Sequence, residues 1–256
     1  LMNVQFAVQD NRVYLLEVNP RASRTAPFVS KSVGVPLAKL ATWAMLGKAV
    51  PVDTLPDPTR LPHVSVKESV FPFHRFPNVD TLLGPEMKST GEVMGIDQTF
   101  PVAFAKASAA AGTVLPREGC VFLSVHDRDK PFVTEIGRLL ADSDFRLIAT
   151  RGTAAWLNEQ GIDATPINKV RDGHPHIVDA IRNGEVQLVI NTPTGYGAKR
   201  DSYSIRRSAL EHQIPYFTTI EAARAAALAI QELQRSSWRV RPIQEWHAGI
   251  TTGESA

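Results

Sequence analysis

Gly119-Cys120-Val121-Phe122-Leu123-Ser124-Val125 is a nearly unbroken apolar run entered through a glycine. A strand wetted on one face alternates apolar and polar residues, whereas a strand covered on both faces has no polar side to show. Residues 120–125 therefore read as a buried strand of a parallel sheet. Further strands are predicted at 145–150, 163–167, 186–192 and 215–218. Helical patterns fall between them: Phe132, Ile136, Leu139 and Leu140 share one face of a first helix, and others are predicted over 154–159, 175–183, 204–212 and, rich in alanine, 220–233. Strands alternating with helices give an α/β domain, Rossmann-type, with a five-stranded parallel sheet covered on both faces.

Ligands of such sheets bind outside the carboxyl ends of the strands. Thr150-Arg151-Gly152-Thr153 is a strand-to-helix turn whose glycine lets the backbone approach a ligand, and whose helix start offers free N–H groups to a phosphate. Asn168 and Lys169 follow the next strand, Asn191 and Thr192 close the one after, and Lys130 precedes the first helix. Taken singly, Thr150, Thr153 and Thr192 read as helix caps and the lysines as solvated surface. Gathered at successive strand ends, they read as an anion site. Asp172-Gly173-His174-Pro175-His176 reads as a turn with solvent-facing imidazoles, the alternatives being a metal site or a catalytic base.

Upstream, strands over 4–8 and 14–19 are joined by the polar turn Gln9-Asp10-Asn11-Arg12. In the second strand Leu15, Glu17 and Asn19 point one way, and Tyr14, Leu16 and Val18 the other. Gln5, on the opposite face from Val4, Phe6 and Val8, can stand across the hairpin near Glu17 and lend a third oxygen. A carboxylate and amide oxygens suit Mg²⁺. Pro20 ends the ladder where a ligand can approach, and Arg21 and Arg24 offer guanidinium forks that suit phosphate oxygens. The combination reads as a metal-nucleotide site; a surface hairpin with ordinary polar positions is the alternative.

Between the two regions, residues 35–47 carry a proline in the first turn, apolar positions at 37, 40, 41 and 44, and a glycine at the end, which predicts a helix. Four prolines within 48–62 forbid a helix or strand interior there. Residues 63–112 read as a closing segment with a helix over 100–111, and a domain boundary is predicted near Val114-Leu115-Pro116. Of the 256 residues 43% are hydrophobic and 21% charged, and the net charge of +2 without a basic run gives no nucleic-acid footprint. The single cysteine, Cys120, reads as a buried small hydrophobe rather than half of a bridge. No apolar run approaches the roughly 20 residues of a membrane helix, so no membrane partner is expected and the cytoplasm is the expected compartment.

The stretch Leu16-Glu17-Val18-Asn19-Pro20-Arg21-Ala22-Ser23-Arg24-Thr25, with Pro27-Phe28-Val29-Ser30-Lys31, closely resembles the last ATP-grasp domain of the carbamoyl phosphate synthase large-subunit family. The resemblance continues in order through Gly34-Val35-Pro36-Leu37-Ala38, Ser65-Val66-Lys67-Glu68, residues 84–95 and Ile205-Arg206-Arg207-Ser208-Ala209-Leu210. It implies that Gln5, Glu17 and Asn19 bind the Mg²⁺ or Mn²⁺ that carries ATP. Arg21 and Arg24 match basic residues at the phosphate and carbamate end. The implied reaction is phosphorylation of enzyme-bound carbamate by a second ATP, within the synthesis of carbamoyl phosphate for arginine and pyrimidine biosynthesis. Implied partners are the remainder of the large subunit, a glutaminase small subunit and further copies in an oligomer. Because members of that family are several times longer, the chain is expected to be a carboxyl-terminal fragment, 1–113 ending the ATP-grasp domain with a connecting segment, and to be inactive alone.

Residues 114–256 resemble the methylglyoxal-synthase-like allosteric domain of the same family. Lys130, Thr150, Thr153, Lys169, Asn191 and Thr192 match its nucleotide-effector positions, which implies UMP or IMP as ligand. Pro193 stands where bacterial members commonly have threonine, and Phe217, within Tyr216-Phe217-Thr218, where the ornithine-responsive pattern has aspartate. Glu68 matches an ornithine-contact position, so Glu68, Tyr216 and Thr218 mark the expected amino-acid effector site with activation by ornithine in doubt. Two rivals stand beside this: a stand-alone lyase of the methylglyoxal synthase type, with His174 at its base position, and a non-catalytic interaction module.

Overall fold

A computed structural model describes residues 1–76, 79–84, 86–193, 195, 202–235 and 237–250. By contacts the chain separates into two compact units, Leu1–Ser65 with Arg239–Ala256, and Val66–Trp238. The sequence divides the chain by resemblance near residue 114, so the two divisions fall at different places.

In the first unit β1 (Asn3–Gln9) and β2 (Arg12–Asn19) form the expected antiparallel hairpin. Asp10 and Asn11 both take positive φ, 49° and 59°, as a type I′ turn requires, and that turn's twist matches the twist of the two strands. The register pairs Gln5 with Glu17 and Asn3 with Asn19, and slips once between Gln5 and Phe6, where Leu16 is the extra residue. Helix α1 (Thr25–Val33) is followed by α2 (Leu37–Met45) within the predicted 35–47. Gly47, at φ 70°, lets the chain fold back so that its own N–H reaches Ala44 O at 3.0 Å and that of Lys48 reaches Trp43 O at 2.9 Å. The proline-rich stretch holds only a 3₁₀ turn at Val52–Thr54. A short helix over Ile243–His247, not foreseen from sequence, brings Trp246 edge-on to His63 and joins His247 to the Lys31 carbonyl at 2.6 Å.

In the second unit β3 (Val64–Val70) pairs with β4 (Gly91–Asp97), and α3 (Phe100–Ala110) packs against β4. The two strands escaped the sequence reading because β4 carries glycine at 91 and 95, which weakens a strand pattern. Gly95 has a packing reason: a Cβ there would lie 2.0 Å from the Ala103 carbonyl oxygen and 2.6 Å from the Ala107 nitrogen, both helix backbone. Gly95→Ala must push α3 off the strand, and we expect a loss of about 3 kcal/mol, the upper range for overpacking. Urea denaturation reads it; an unchanged midpoint refutes the close approach.

The remaining elements run β5 (Cys120–Val125), α4 (Lys130–Ala141), β6 (Arg146–Thr150), α5 (Arg151–Glu159), β7 (Thr165–Ile167), α6 (Ile177–Arg182), β8 (Leu188–Thr192), α7 (Tyr203–Glu211), β9 (Tyr216–Phe217) and α8 (Ile220–Arg235). The five strands form the predicted parallel sheet, in the order β7-β6-β5-β8-β9. Alternate side chains feed two cores: Val121, Leu123, Leu188 and Ile190 pack under α4, α5 and α8, while Cys120, Phe122 and Val189 meet Ile177 and Ile181 of α6 and Ile205 of α7. β7 is shorter than its predicted span because the Asn158 side chain takes both backbone groups of Ala164, at 2.9 and 3.0 Å, out of the ladder. Beneath this sheet Arg206, 1% exposed, grips Asp80 through two hydrogen bonds of 3.0 and 2.6 Å. Among the described residues no helix is long and apolar enough to cross a membrane.

Candidate functional site

The strand order reverses between β5 and β8. Chain leaving β5 runs outward to β6 and β7, then crosses back to β8 on the other side. The helices that follow these two strands diverge, leaving a crevice above their carboxyl ends. Ser124, Val125, Asn191 and Thr192 stand at that crevice, side by side in register.

The candidate anion residues converge there in part. Lys130 Nζ reaches Asp127 Oδ1 at 2.9 Å and lies 3.9 Å from where a Cβ on Gly152 would be, so its charge hangs over the start of α5. The hydrogen bond and charge of Lys130 hold the Asp127 carboxyl below its usual range, and His126 and Lys169 act on it in the same direction. Lys169 is exposed and follows β7. Two lysines and a helix N-terminus with no acid in its first turn thus share one small volume. Asp127, itself exposed, is the anion now paired with Lys130.

Thr150 and Thr153 do not act as the helix caps their composition suggests. Neither is open to solvent, and the Thr150 hydroxyl makes no capping bond to α5. Instead it donates to Thr153 Oγ1 at 3.2 Å, which accepts the Val125 N–H at 3.3 Å, strapping β6 to β5. Thr192 accepts the His126 N–H at 3.3 Å and donates to Asp129 Oδ2 at 2.7 Å. Asn191 is 3% exposed; its Nδ2 donates to Ser124 O at 3.4 Å, while its Oδ1 has no hydrogen-bond partner among the described residues. A buried carbonyl without a donor is costly, and at a strand-end crevice a ligand donor answers it. Sequence reasoning missed Asp127, Asp129 and Ser124, although the Asp-Arg-Asp-Lys run after β5 signals acidic partners for Lys130 and Thr192. A pocket of about 140 Å³, open to solvent, adjoins the site between Asp129, Thr192, Pro193 and Thr218.

The expected amino-acid effector residues are not gathered. Tyr216 and Phe217 turn to opposite cores of the sheet, and only Thr218 opens into the pocket. Burial pushes the Glu68 carboxyl up, and no cation pairs with it among the described residues. No hydrogen bond among them joins it to Tyr216 or Thr218.

On the hairpin, Gln5 and Glu17 are cross-strand partners, and Asn19 Nδ2 donates to Glu17 Oε1, so the three amide and carboxylate groups do share a face. Oxygen donors of this kind fit a hard divalent ion. Arg21 follows with a 3.3 Å bond to the Ala22 carbonyl, and Arg24 takes the N-cap position of α1, whose first turn carries no acid. Both guanidiniums are exposed.

One expectation is corrected. His174 is exposed, but His176 is 6% exposed and therefore not solvent-facing. It is the N-cap of α6: its N–H donates to Asp179 Oδ2 at 2.9 Å, and its Nδ1 accepts the Asp179 N–H at 3.4 Å. A ring spent on that reciprocal box must lie against the helix.

Comparison with known proteins agrees with this geometry. Residues 2–52 match the family model for the carbamoyl-phosphate synthase L chain, ATP binding domain, and residues 133–218 that for the MGS-like domain. The carbamoyl phosphate synthase large chain of Rhizobium meliloti (strain 1021) is 55% identical over 251 residues, 96% of this chain and 22% of that one. The carbamoyl phosphate synthase large chain, C-terminal section, of Methanopyrus kandleri is 51% identical over 260 residues, 98% of this chain and 48% of that one. The chain thus spans between about a fifth and a half of these relatives. Methylglyoxal synthase from Elizabethkingia anophelis NUHP1 gives a likeness too slight to add to them, at 19% identity and a TM-score of 0.36 over 43% of this chain and 76% of that one. With an ATP-binding-domain match at one end, an MGS-like domain at the other and half its residues shared across nearly its whole length, the chain is similar to the carboxyl-terminal part of the carbamoyl phosphate synthase large chain.

Proposed function

We propose that the chain supplies the carbamate-phosphorylating end and the effector domain of a glutamine-hydrolysing carbamoyl phosphate synthase. The whole enzyme would act in the cytoplasm, making carbamoyl phosphate from bicarbonate, ammonia drawn from glutamine, and two ATP, for arginine and pyrimidine biosynthesis. We assign 1–113 to the end of the ATP-grasp domain with its connecting segment and 114–256 to the MGS-like domain. The observation that carries the reading is the hairpin register, which sets Gln5 opposite Glu17 beside Asn19 in a chain about half identical to large chains of that enzyme.

Gln5, Glu17 and Asn19 would hold Mg²⁺ or Mn²⁺ with ATP, and the ion would neutralise the phosphate charge. Arg21 and Arg24 would orient the phosphoryl group and carbamate. Such a transfer asks for positioning and charge more than for a nucleophile, which suits these side chains. Seven large apolar side chains of the hairpin stay exposed, from Phe6 and Val8 to Leu16 and Val18, on both of its faces. The remainder of the large subunit is the partner that would cover them. A glutaminase small subunit and further copies would complete the assembly.

For the strand-end site the ligand is a nucleoside monophosphate, UMP or IMP. About two negative charges on its phosphate suit Lys130, Lys169 and the start of α5, once the exposed Asp127 swings aside. Asn191 and Thr192 would serve the sugar or base. Lys169→Ala is expected to weaken binding by about 1.5–3 kcal/mol, the range for a charge-assisted bond. Ornithine is expected to bind feebly, because Phe217 packs into the core and offers no carboxylate. Calorimetry on the chain with each ligand decides this. No heat with either nucleotide at millimolar concentration, or equal affinity in the variant, favours the interaction-module reading. The stand-alone lyase is disfavoured, since the likeness to large chains of the synthase runs over nearly the whole chain and includes the ATP-binding-domain match at residues 2–52.

A further inference from the structure

Three potential ligands meet on the turn between β7 and α6, apart from the strand-end site. His174 Nδ1 lies 2.6 Å and His176 Nδ1 3.0 Å from one and the same oxygen, Oδ2 of Asp179. The two imidazole rings sit 4.2 Å apart, tilted by 34°. One donor atom from each of the three residues falls within 4.8 Å of the other two. We propose that His174, His176 and Asp179 form a binding site for a borderline divalent cation, Zn²⁺ in the first instance, with water in the remaining position.

The chemistry of the donor set points to that ion class. Two imidazole nitrogens and one carboxylate oxygen suit zinc, whose three-ligand sites keep a fourth position open, whereas Mg²⁺ and Ca²⁺ take oxygen almost throughout. Bonds of about 2.0–2.2 Å from a common centre would hold these atoms roughly 3.3 Å apart, against the 2.6 and 3.0 Å at which the two imidazole nitrogens stand from Asp179 Oδ2. Half of the site is already rigid. The His176 side chain is 8% exposed and locked to α6 by its exchange of hydrogen bonds with Asp179, which also fixes the carboxylate. The other half is open, since the His174 side chain is 77% exposed and gives an ion its way in. As the turn stands, His176 Nδ1 spends its lone pair on a long 3.4 Å bond from the Asp179 N–H; a divalent cation would draw that lone pair, the His174 nitrogen and the carboxylate oxygen to one centre.

The test uses the whole chain, stripped with a chelator and titrated with Zn²⁺ against a chromophoric competitor. Because the chain has seven histidines, variants separate this site from others. The expected result is one tight Zn²⁺ per chain, weakened at least about tenfold in His174→Ala and in Asp179→Asn. Bound Co²⁺ should show visible bands of low coordination number that disappear in His174→Ala. His174 is on the surface, so that variant keeps its fold, which circular dichroism checks. Equal Zn²⁺ affinity in the chain and in both variants, or no Zn²⁺ bound at about 100 µM, overturns the proposal.

Discussion

Glu17→Ala, introduced into the complete large subunit, should reduce carbamate phosphorylation by about a thousandfold, the scale seen when a preorganised charge-stabilising group is removed. The carboxylate is the only charged member of the Gln5, Glu17 and Asn19 set, and the two amides cannot balance a divalent ion by themselves. The loss should be confined to one half-reaction. ATP synthesis from ADP and carbamoyl phosphate should vanish, while bicarbonate-dependent ATP hydrolysis at the other half of the subunit largely persists. The chain by itself should make no carbamoyl phosphate. ATP formation by the variant at a tenth or more of the parent rate, or by the isolated chain, rules out the metal role of Glu17.

Asp80→Ala is expected to cost about 3 kcal/mol of stability. Arg206 is 1% exposed and meets Asp80 through Nε and Nη2, so deleting the carboxylate takes two charge-assisted bonds from a desolvated guanidinium. Removing one partner of a fully buried pair costs about 3–5 kcal/mol; with 35% of the Asp80 side chain open to water, the lower end applies. Burial by itself would raise the Asp80 carboxyl, but the hydrogen bonds and charge of Arg206 outweigh it and hold the group below its ordinary range. The folded value thus lies below the unfolded one. The stabilisation is present above the unfolded carboxylate range and fades as pH falls through the folded value. Urea denaturation at neutral and acid pH should find the gap between parent and variant wide at the former and narrowed at the latter. A gap independent of pH would mean that the pair acts through packing rather than charge.

The sheet was legible because its strands announce burial on both sides: Val121, Phe122 and Leu123 carry that signal within a few residues. The hairpin was legible for a related reason, since two alternating strands about a polar turn must pair antiparallel, but the turn alone would set Gln5 opposite Leu16, and it is the bulge at Leu16 that brings it opposite Glu17. What stayed hidden depends on distance in the chain. Asp80 and Arg206 are 126 residues apart, and no periodicity links them. Gly95 looks like a strand breaker until α3 is laid against it. Thr150 and Thr153 have the composition of helix caps, but a buried hydroxyl bonds whatever the fold brings near, here the backbone of β5. His176 was misread because a histidine beside proline suggests a wet turn, whereas its partner Asp179 stands three residues on, in the first turn of a helix.

The hairpin links two equilibria. Covering its seven exposed apolar side chains would contribute on the order of 10 kcal/mol of burial, and a two-stranded ribbon by itself is marginal in water. The proposed ion ligands lie on that same ribbon. A neighbour that clamps the strands must therefore raise the affinity of Gln5, Glu17 and Asn19 for their ion, and by reciprocity the ion must tighten the neighbour's grip by the same factor. On the proposed reading, metal loading and subunit completion would become a single cooperative event, so that a half-built enzyme would have little capacity to hold, and waste, its nucleotide.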